Sequence, residues 1–412
     1  MYDTILHNII SFYIRSNKVN FRQTLNMLLH KIIGFVKRLE DPKHPLLGPN
    51  ITGLYWFGLW QCGHKYRDAM FNFLHFSSLI FVMSQFVELY FMRNDLMKVL
   101  FNISVTALAF VSISKTIFFI SFLPSWRLLI KNISVEEISA LQNADSTVMS
   151  LMKQYRTYSR TITYFYWSVM FCTQIFTILS PFLKYMTSSE YRGLVQNGFE
   201  PYPLIMTSWF PFDETKMPGY VVAVAVHVTM LTQGAGVVAV YDSNAVAIMA
   251  FLKGQIKILR YKCELIFGNE QAIPRHEVLK NIKECHLYYL FHRQFKMFNS
   301  IISPVMFIYV FVCSIMICCS VVQLSLVRYL CIFTVIILIK VDTNLVDLGI
   351  YTSNWWRGDI QVRRQVLLLA GKLSPSFILD AGPFNTFSMA TFINILKGSY
   401  SFYTLFTQMN EN

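Results

Sequence analysis

Charge is what this sequence has least of. Only 14% of its 412 residues are Asp, Glu, Lys or Arg, against about a quarter in an ordinary soluble domain. With 54% hydrophobic residues, 16% aromatic residues and a mean hydropathy of +0.42, the chain is too apolar to carry a water-soluble surface. Catalytic signatures are lacking too. There is no GxxxxGK[ST] loop, no GxSxG elbow and no HExxH helix, and the histidines have no partners at metal-ligand spacing. Neither an enzyme nor a cofactor nor a bound metal is expected. The opening MYDTILHNIISFYIRSNKVNF has only a short apolar run, preceded by Asp3 and followed by no small-residue cleavage site, so no cleavable leader is expected. The eight cysteines show no paired metal spacing and read as small core residues.

What is present is long apolar runs. A lipid-exposed span needs roughly 20 predominantly apolar residues in a helix, because every backbone polar group must find its partner within the segment. Seven stretches qualify, at about 69–92, 96–122, 162–186, 219–241, 299–322, 329–352 and 385–409. The reading is an all-α, multi-pass membrane protein with seven transmembrane helices.

The net charge of +13 suggests nucleic acid only until its placement is considered. Before the first span lie Arg15, Lys18, Arg22, Lys31, Lys37, Arg38, Lys43, Lys65 and Arg67. Between the fourth and fifth lie Lys253, Lys257, Arg260, Lys262, Arg275, Lys280, Lys283, Arg293 and Lys296. The loops between spans two and three and between six and seven are basic as well, whereas the alternate loops carry few basic residues. Positive charge accumulates on the cytoplasmic side, which predicts a cytoplasmic N-terminus and, after seven crossings, an extracellular C-terminus. Topology accounts for the charge, and nucleic acid is not an expected partner; membrane lipid is.

The segments follow from this. Residues 1–68 form a cytoplasmic N-terminal region. Residues 69–241 hold spans one to four, with an outer loop at 187–218 that is aromatic, proline-punctuated and long enough to fold as a lid. Helical patterning continues through 242–298, so the helices overshoot the membrane into the cytoplasm. Spans five and six occupy 299–352, a further cytoplasmic helix 353–384 and the last span 385–412. No inverted repeat of a transporter type is visible. The sixth span carries Lys340, Asp342 and Asp347, and charges in a span imply partners on another helix.

Four motifs in order make the chain recognisable: the outer SWFPFDETKMPGY, then DLGIYTSNWW after span six, then RRQVLLLAGKLSP, then FSMATFINILKGSYSFYTLF. The chain from about Phe57 onward resembles the insect odorant receptor family. That resemblance implies the insect odorant receptor channel fold: a tetrameric, ligand-gated, non-selective cation channel in the plasma membrane of sensory dendrites of olfactory neurons. Its subunits would join through a cytoplasmic anchor built from the inner ends of helices four to seven, each last helix lining the pore. The family's co-receptor carries a long insertion between helices four and five. Here only GNEQAIPRHE separates the two helical patterns, so the chain resembles an odour-specific subunit that pairs with co-receptor subunits. Related gustatory receptors share the fold. A G-protein-coupled receptor would place its N-terminus outside and is disfavoured by the charge distribution, and a small-solute transporter is a third class.

Three groups of residues are expected to carry function. A small volatile odorant would sit in the outer half of helices two to five, with candidates Phe110, Phe176, Ser180, Tyr220, Ala223, His227, Phe311 and Ser314; plain core packing is the alternative for each. Asn394, Lys397, Ser401, Thr404 and Gln408 recur at steps of three and four on the last span. Under the channel reading this stripe faces permeating cations, with Leu405 as an apolar constriction; the alternative is polar glue between helices. Trp355, Trp356, Arg363 and Arg364 fall in the anchor region, as subunit contacts or as ordinary aromatic packing with an interfacial charge cluster.

Overall fold

The computed structural model describes residues 38–94, 96–142, 145–268, 273–324, 348–373 and 379–383, together with scattered positions in 27–36 and 385–404. Most of the sixth span, including Lys340, Asp342 and Asp347, lies outside the described residues.

The helix α1 (Gly48–Trp56) carries Pro49 in its first turn, where a missing N–H costs nothing. It packs against two later helices. Gly53 permits the approach, because a Cβ there would strike Val240 and Trp167. Leu46, Leu47, Leu54 and Leu59 are consequently buried to 2% exposure or less. Gly63 then reverses the chain at φ +83, a conformation that costs glycine little.

Five helices long and apolar enough to cross a membrane are found among the described residues. Those carrying spans one to three are α2 (Lys65–Phe91), α3 (Leu96–Ser121) and, after the shorter α4 (Leu123–Leu141), the long α5 (Ser146–Thr187). A short α6 (Ser189–Gln196) is capped by Ser188, whose Oγ accepts the Tyr191 N–H at 3.2 Å. Span four lies in α7 (Gly219–Glu264). After α8 (Arg275–Tyr288) and a 3-10 turn, span five lies in α9 (His292–Leu324).

At 46 residues, α7 is about 70 Å long, more than twice a bilayer's hydrocarbon core of roughly 30 Å. About half of it must therefore project beyond the hydrocarbon core. That half is the molecule's axis: nearly every residue from Gly236 to Leu259 is buried, against α5, α3, α1, α8 and the small α10 (Leu348–Thr352). The expected helical continuation past the span is, over the described residues of 242–264, a packed helical core. By contrast, α2 is bare on most of its circumference and buries only Phe81, Val82 and Gln85.

Beyond α10 a 3-10 turn at Trp355–Arg357 leads into α11 (Ile360–Leu373), which packs on α8. Asp359 starts α11, its Oδ1 accepting the Val362 N–H at 2.8 Å. The sequence boundaries shift here. Residues expected at the end of the cytoplasmic helix and the start of the last span form a two-residue antiparallel ribbon, β1 (Asp380–Ala381) with β2 (Asn385–Thr386). Asn299 of α9 clamps it: its Nδ2 donates to Asp380 Oδ2 at 2.7 Å and its Oδ1 accepts the Asp380 N–H at 2.8 Å. The ribbon makes a tight turn through Gly382, at φ +77. The described residues of the last span, between 390 and 404, are helical.

Candidate functional site

Two constellations of buried polar side chains stand out in the bundle. The outer one is built by the lid. Asn102 of α3 donates from Nδ2 to Thr207 Oγ1 at 2.8 Å, and its own Oδ1 accepts from Thr106 at 3.1 Å. The Trp209 N–H donates to the Ser84 carbonyl on α2 at 3.3 Å. Tyr220 donates to the Pro203 carbonyl at 3.1 Å. Pinned at these points, the loop drives Ile205 and Met206 into a cluster with Phe81, beside Ile178, Phe182, Phe210 and Val224.

At the base of that cluster sits His227, completely buried. Its Nε2 is 2.8 Å from Ser208 Oγ of the lid. The rings of Phe81 and Phe210 pack on it at 5.7 Å and 5.5 Å between centroids. Its Nδ1 has no hydrogen-bond partner, and neither does either amide atom of Gln85, one helical turn from Phe81 and also completely buried. Leaving such groups unsatisfied costs about 1–3 kcal/mol each. An apolar cluster with a few unused polar atoms has the composition of a small-molecule site's lining.

The sequence candidates divide sharply around this cluster. Ala223 and His227 are fully buried, and Tyr220 and Ser314 are half-buried. Phe110, Phe176, Ser180 and Phe311 are exposed on the outside of this chain; Phe176 is 69% exposed and Phe311 64%. The structure therefore gathers Ala223 and His227 in the α7 wall and does not bring the three phenylalanines to it. Gln85 and Ser208 were missed. The signal for Gln85 was an uncharged polar residue within the first apolar run.

The inner constellation was missed entirely. Lys115 of α3, 2% exposed, places Nζ 2.7 and 2.8 Å from the two carboxylate oxygens of Asp242 on α7. Tyr166 of α5 donates its hydroxyl to Asp242 Oδ2 at 3.0 Å. The ammonium also lies 4.5 Å from the ring centre of Tyr309 on α9. One ion pair thus ties four helices together. Beside it lies a cavity of about 20 Å³, lined by Lys115, Tyr241, Asp242, Met306 and Tyr309 among others, room for a single water. The visible signal was a lysine inside an apolar run, SISKTIFF.

In the cytoplasmic part, Trp355 and Trp356 are partly exposed, their rings 6.4 Å apart and nearly perpendicular. Arg363 donates from Nη2 to the Trp356 carbonyl at 2.6 Å and from Nε to the Gly358 carbonyl at 2.8 Å, and Arg364 is exposed. They adjoin Ile360, Leu367 and Leu368 on the outer side of α11, which are 84%, 72% and 64% exposed. On the last helix Asn394, Lys397 and Ser401 are exposed and Thr404 is half-buried; Leu405 and Gln408 lie outside the described residues. The Ser401 hydroxyl donates to the Lys397 carbonyl at 3.1 Å and that of Thr404 to the Ser401 carbonyl at 2.9 Å. Among the described residues, no three His, Cys, Asp or Glu side chains are grouped to hold a metal.

One cytoplasmic carboxyl is strongly perturbed. Glu137 of α4 is buried, and burial pushes its pKa up to about 7 against the opposing pull of the Leu46 N–H and Arg156. Its Oε2 accepts that N–H at 2.9 Å, while its Oε1 is unpartnered.

Five span-length helices among the described residues, a buried cluster closed over by an outer loop and a packed helical core beyond the span length define a multi-pass helical membrane protein. The family model described as 7tm Odorant receptor matches residues 95–400, and the chain belongs to that family. Among solved structures it is similar to the insect olfactory receptor OR5 from Machilis hrabei in complex with eugenol, at 15% identity and TM-score 0.71, covering 90% of this chain and 100% of that one. The structure of the same receptor described without that ligand matches at 16% identity and TM-score 0.66, covering 92% and 99%. At such identity the likeness shows a shared fold. No curated protein sequence matches the chain.

Proposed function

We propose that this chain is the odour-specific subunit of a non-selective cation channel assembled with co-receptor subunits, and that it admits a small, volatile, hydrophobic ligand beneath the outer lid. The observation that carries this reading is His227: a fully buried imidazole between Phe81 and Phe210, one nitrogen on the lid's Ser208 and the other free of any hydrogen bond. A ligand oxygen accepting from Nδ1–H, or donating to bare Nδ1, would gain an orienting contact there. The apolar remainder of the ligand would displace Ile205 or Met206. Each buried methylene contributes about 0.8 kcal/mol, so homologues differing by one carbon would differ severalfold in potency.

In this reading the bare outer side of α11, with Trp355, Trp356, Arg363 and Arg364 beside it, meets neighbouring subunits of a tetramer. Asn394, Lys397, Ser401, Thr404, Leu405 and Gln408 line the ion path. The complex belongs in the plasma membrane of the sensory dendrite. The test is a volatile panel applied to cells expressing the chain with and without an insect co-receptor. Ligand-evoked cation current in the pair, and none from either chain alone, is the expected result; full currents from this chain alone would defeat the heteromeric reading.

A further inference from the structure

Two stretches on the cytoplasmic side carry basic and aromatic side chains and no acid at all. The first, YWFGLWQCGHKYR at 55–67, precedes and opens the first span; the second, LPSWRLLIKNISV at 123–135, forms the first three turns of α4. They are joined in space. Arg127 of α4 donates from Nη2 to the Gln61 carbonyl, and its guanidinium lies 5.9 Å from the centre of the Trp60 ring. Arg67 holds the other end of the same loop, donating to the Tyr55 carbonyl and stacking 3.4 Å over the Tyr55 ring. The backbone N–H groups of Leu59 and Trp60 both bond to the Leu54 carbonyl at 3.0 Å, and Gln61 Nε2 donates to Asn72 Oδ1 at 2.7 Å. The loop is therefore preformed.

Its outward side chains are of two kinds. Lys65, Arg127 and Lys131 are exposed cations. Around them Tyr66, Leu128 and Val135 are 93%, 50% and 60% exposed. The opposite face of α4 buries Trp126, Leu129, Ile130 and Ile133 in the protein core. A helix with one apolar face spent on its own protein still presents alternating cations and apolar groups outward. The acids that follow are engaged elsewhere: Asp68 by the Gly63 N–H at 2.9 Å and by Arg67 at 3.8 Å, Glu136 by the Gln294 side-chain amide, and Glu137 is buried. Cations with interleaved aromatic and aliphatic side chains at the level where a span begins match the chemistry of a lipid headgroup above its acyl chains.

We propose that the 55–66 loop and the outward face of α4 form a docking surface for the phosphorylated headgroup of an anionic phospholipid in the cytoplasmic leaflet. Lys65, Arg127 and Lys131 meet phosphate oxygens, while Tyr66, Leu128 and Val135 sit against the glycerol and upper acyl region. The surface is distinct from the odorant chamber, on the opposite side of the membrane.

The test uses the purified full-length chain in phosphatidylcholine nanodiscs, titrated with dioctanoyl phosphatidylinositol 4,5-bisphosphate and followed by native mass spectrometry. Saturable binding is expected, weakened at least tenfold in the Lys65→Gln/Lys131→Gln double variant. Binding should be unchanged in Lys280→Gln/Lys283→Gln, which removes two exposed cations from α8. Both variants should keep the parent's melting temperature, since none of these four side chains is buried. Equal weakening in both variants, or in neither, would overturn the site. Binding of free inositol 1,4,5-trisphosphate as tight as that of the lipid would overturn the lipid assignment.

Discussion

The outer and inner halves of this bundle are packed to different standards. In the inner half, nearly every residue of α7 from Gly236 to Leu259 is buried, and its one buried carboxylate at Asp242 has an ammonium and a phenol hydroxyl on it, although Tyr241 Oη and both amide atoms of Asn244 beside it have no partner. In the outer half, His227 and Gln85 are just as deeply buried, yet three of their polar atoms have no partner, and what closes over them is a loop. The buried charge is paired, while neutral polar atoms lack partners in both halves; what sets His227 and Gln85 apart is the loop that closes over them.

The largest effect should come from breaking the inner standard. Asp242→Asn or Lys115→Met strands a charge among four helices, at about 3–5 kcal/mol, and should abolish surface expression. The double variant Lys115→Met/Asp242→Leu should recover most of it, because removing both charges removes the desolvation penalty. Quantitative surface labelling distinguishes these outcomes, and a double variant as poor as the singles would mean that the ion pair is not what joins the helices.

Next in size is the cytoplasmic carboxyl at Glu137. Its folded pKa of about 7 stands above its ordinary value of 4.5, so the folded protein holds the proton more tightly than the unfolded chain. Its contribution is fully present below pH 4.5 and is lost as pH rises through 7, by at most roughly 3 kcal/mol. Thermal melting of the purified protein should accordingly fall from pH 5 to pH 7.5, and Glu137→Gln should flatten that slope.

A smaller effect tests the lid. Asn102→Ala removes the bonds to Thr207 at a cost of about 1 kcal/mol. Limited proteolysis within 197–218 should speed up severalfold while the rest of the chain keeps its cleavage pattern. Least disturbing is Lys397→Gln on the last helix. The side chain is exposed, so stability should change by no more than about 0.5 kcal/mol, while relative cation permeability in the assembled channel should shift. Unchanged permeability would return the polar stripe to helix–helix packing.

How much of this was legible beforehand depends on which physical signal each feature leaves. Spans one to five were readable because a bilayer demands a minimum apolar length, and the continuation of α7 beyond its span was readable because its apolar residues run past that length. The family was readable from SWFPFDETKMPGY and its companions. Which face of a span turns inward was not. Lipid is as apolar as a protein core, so Phe110, Phe176 and Phe311, which point outward, look the same in sequence as Phe81 and Phe210, which do not. Polar residues are the exception to that ambiguity. His227, named from the sequence, is buried, and Lys115 and Gln85, which carried the same signal, are buried too. The ribbon at Asp380–Thr386 left no periodic trace, being only two residues per strand.

The account rests on the outer chamber being where the odorant enters, and one experiment addresses that directly: concentration–response curves for an active volatile and for a direct co-receptor agonist, measured on the same cells. His227→Ala and Gln85→Ala should each shift the volatile's curve by about tenfold or change the rank order of homologues, as expected for loss of one buried polar contact of roughly 1.4 kcal/mol. The co-receptor agonist's curve should stay where it was. Both curves falling together, or neither moving, would contradict it.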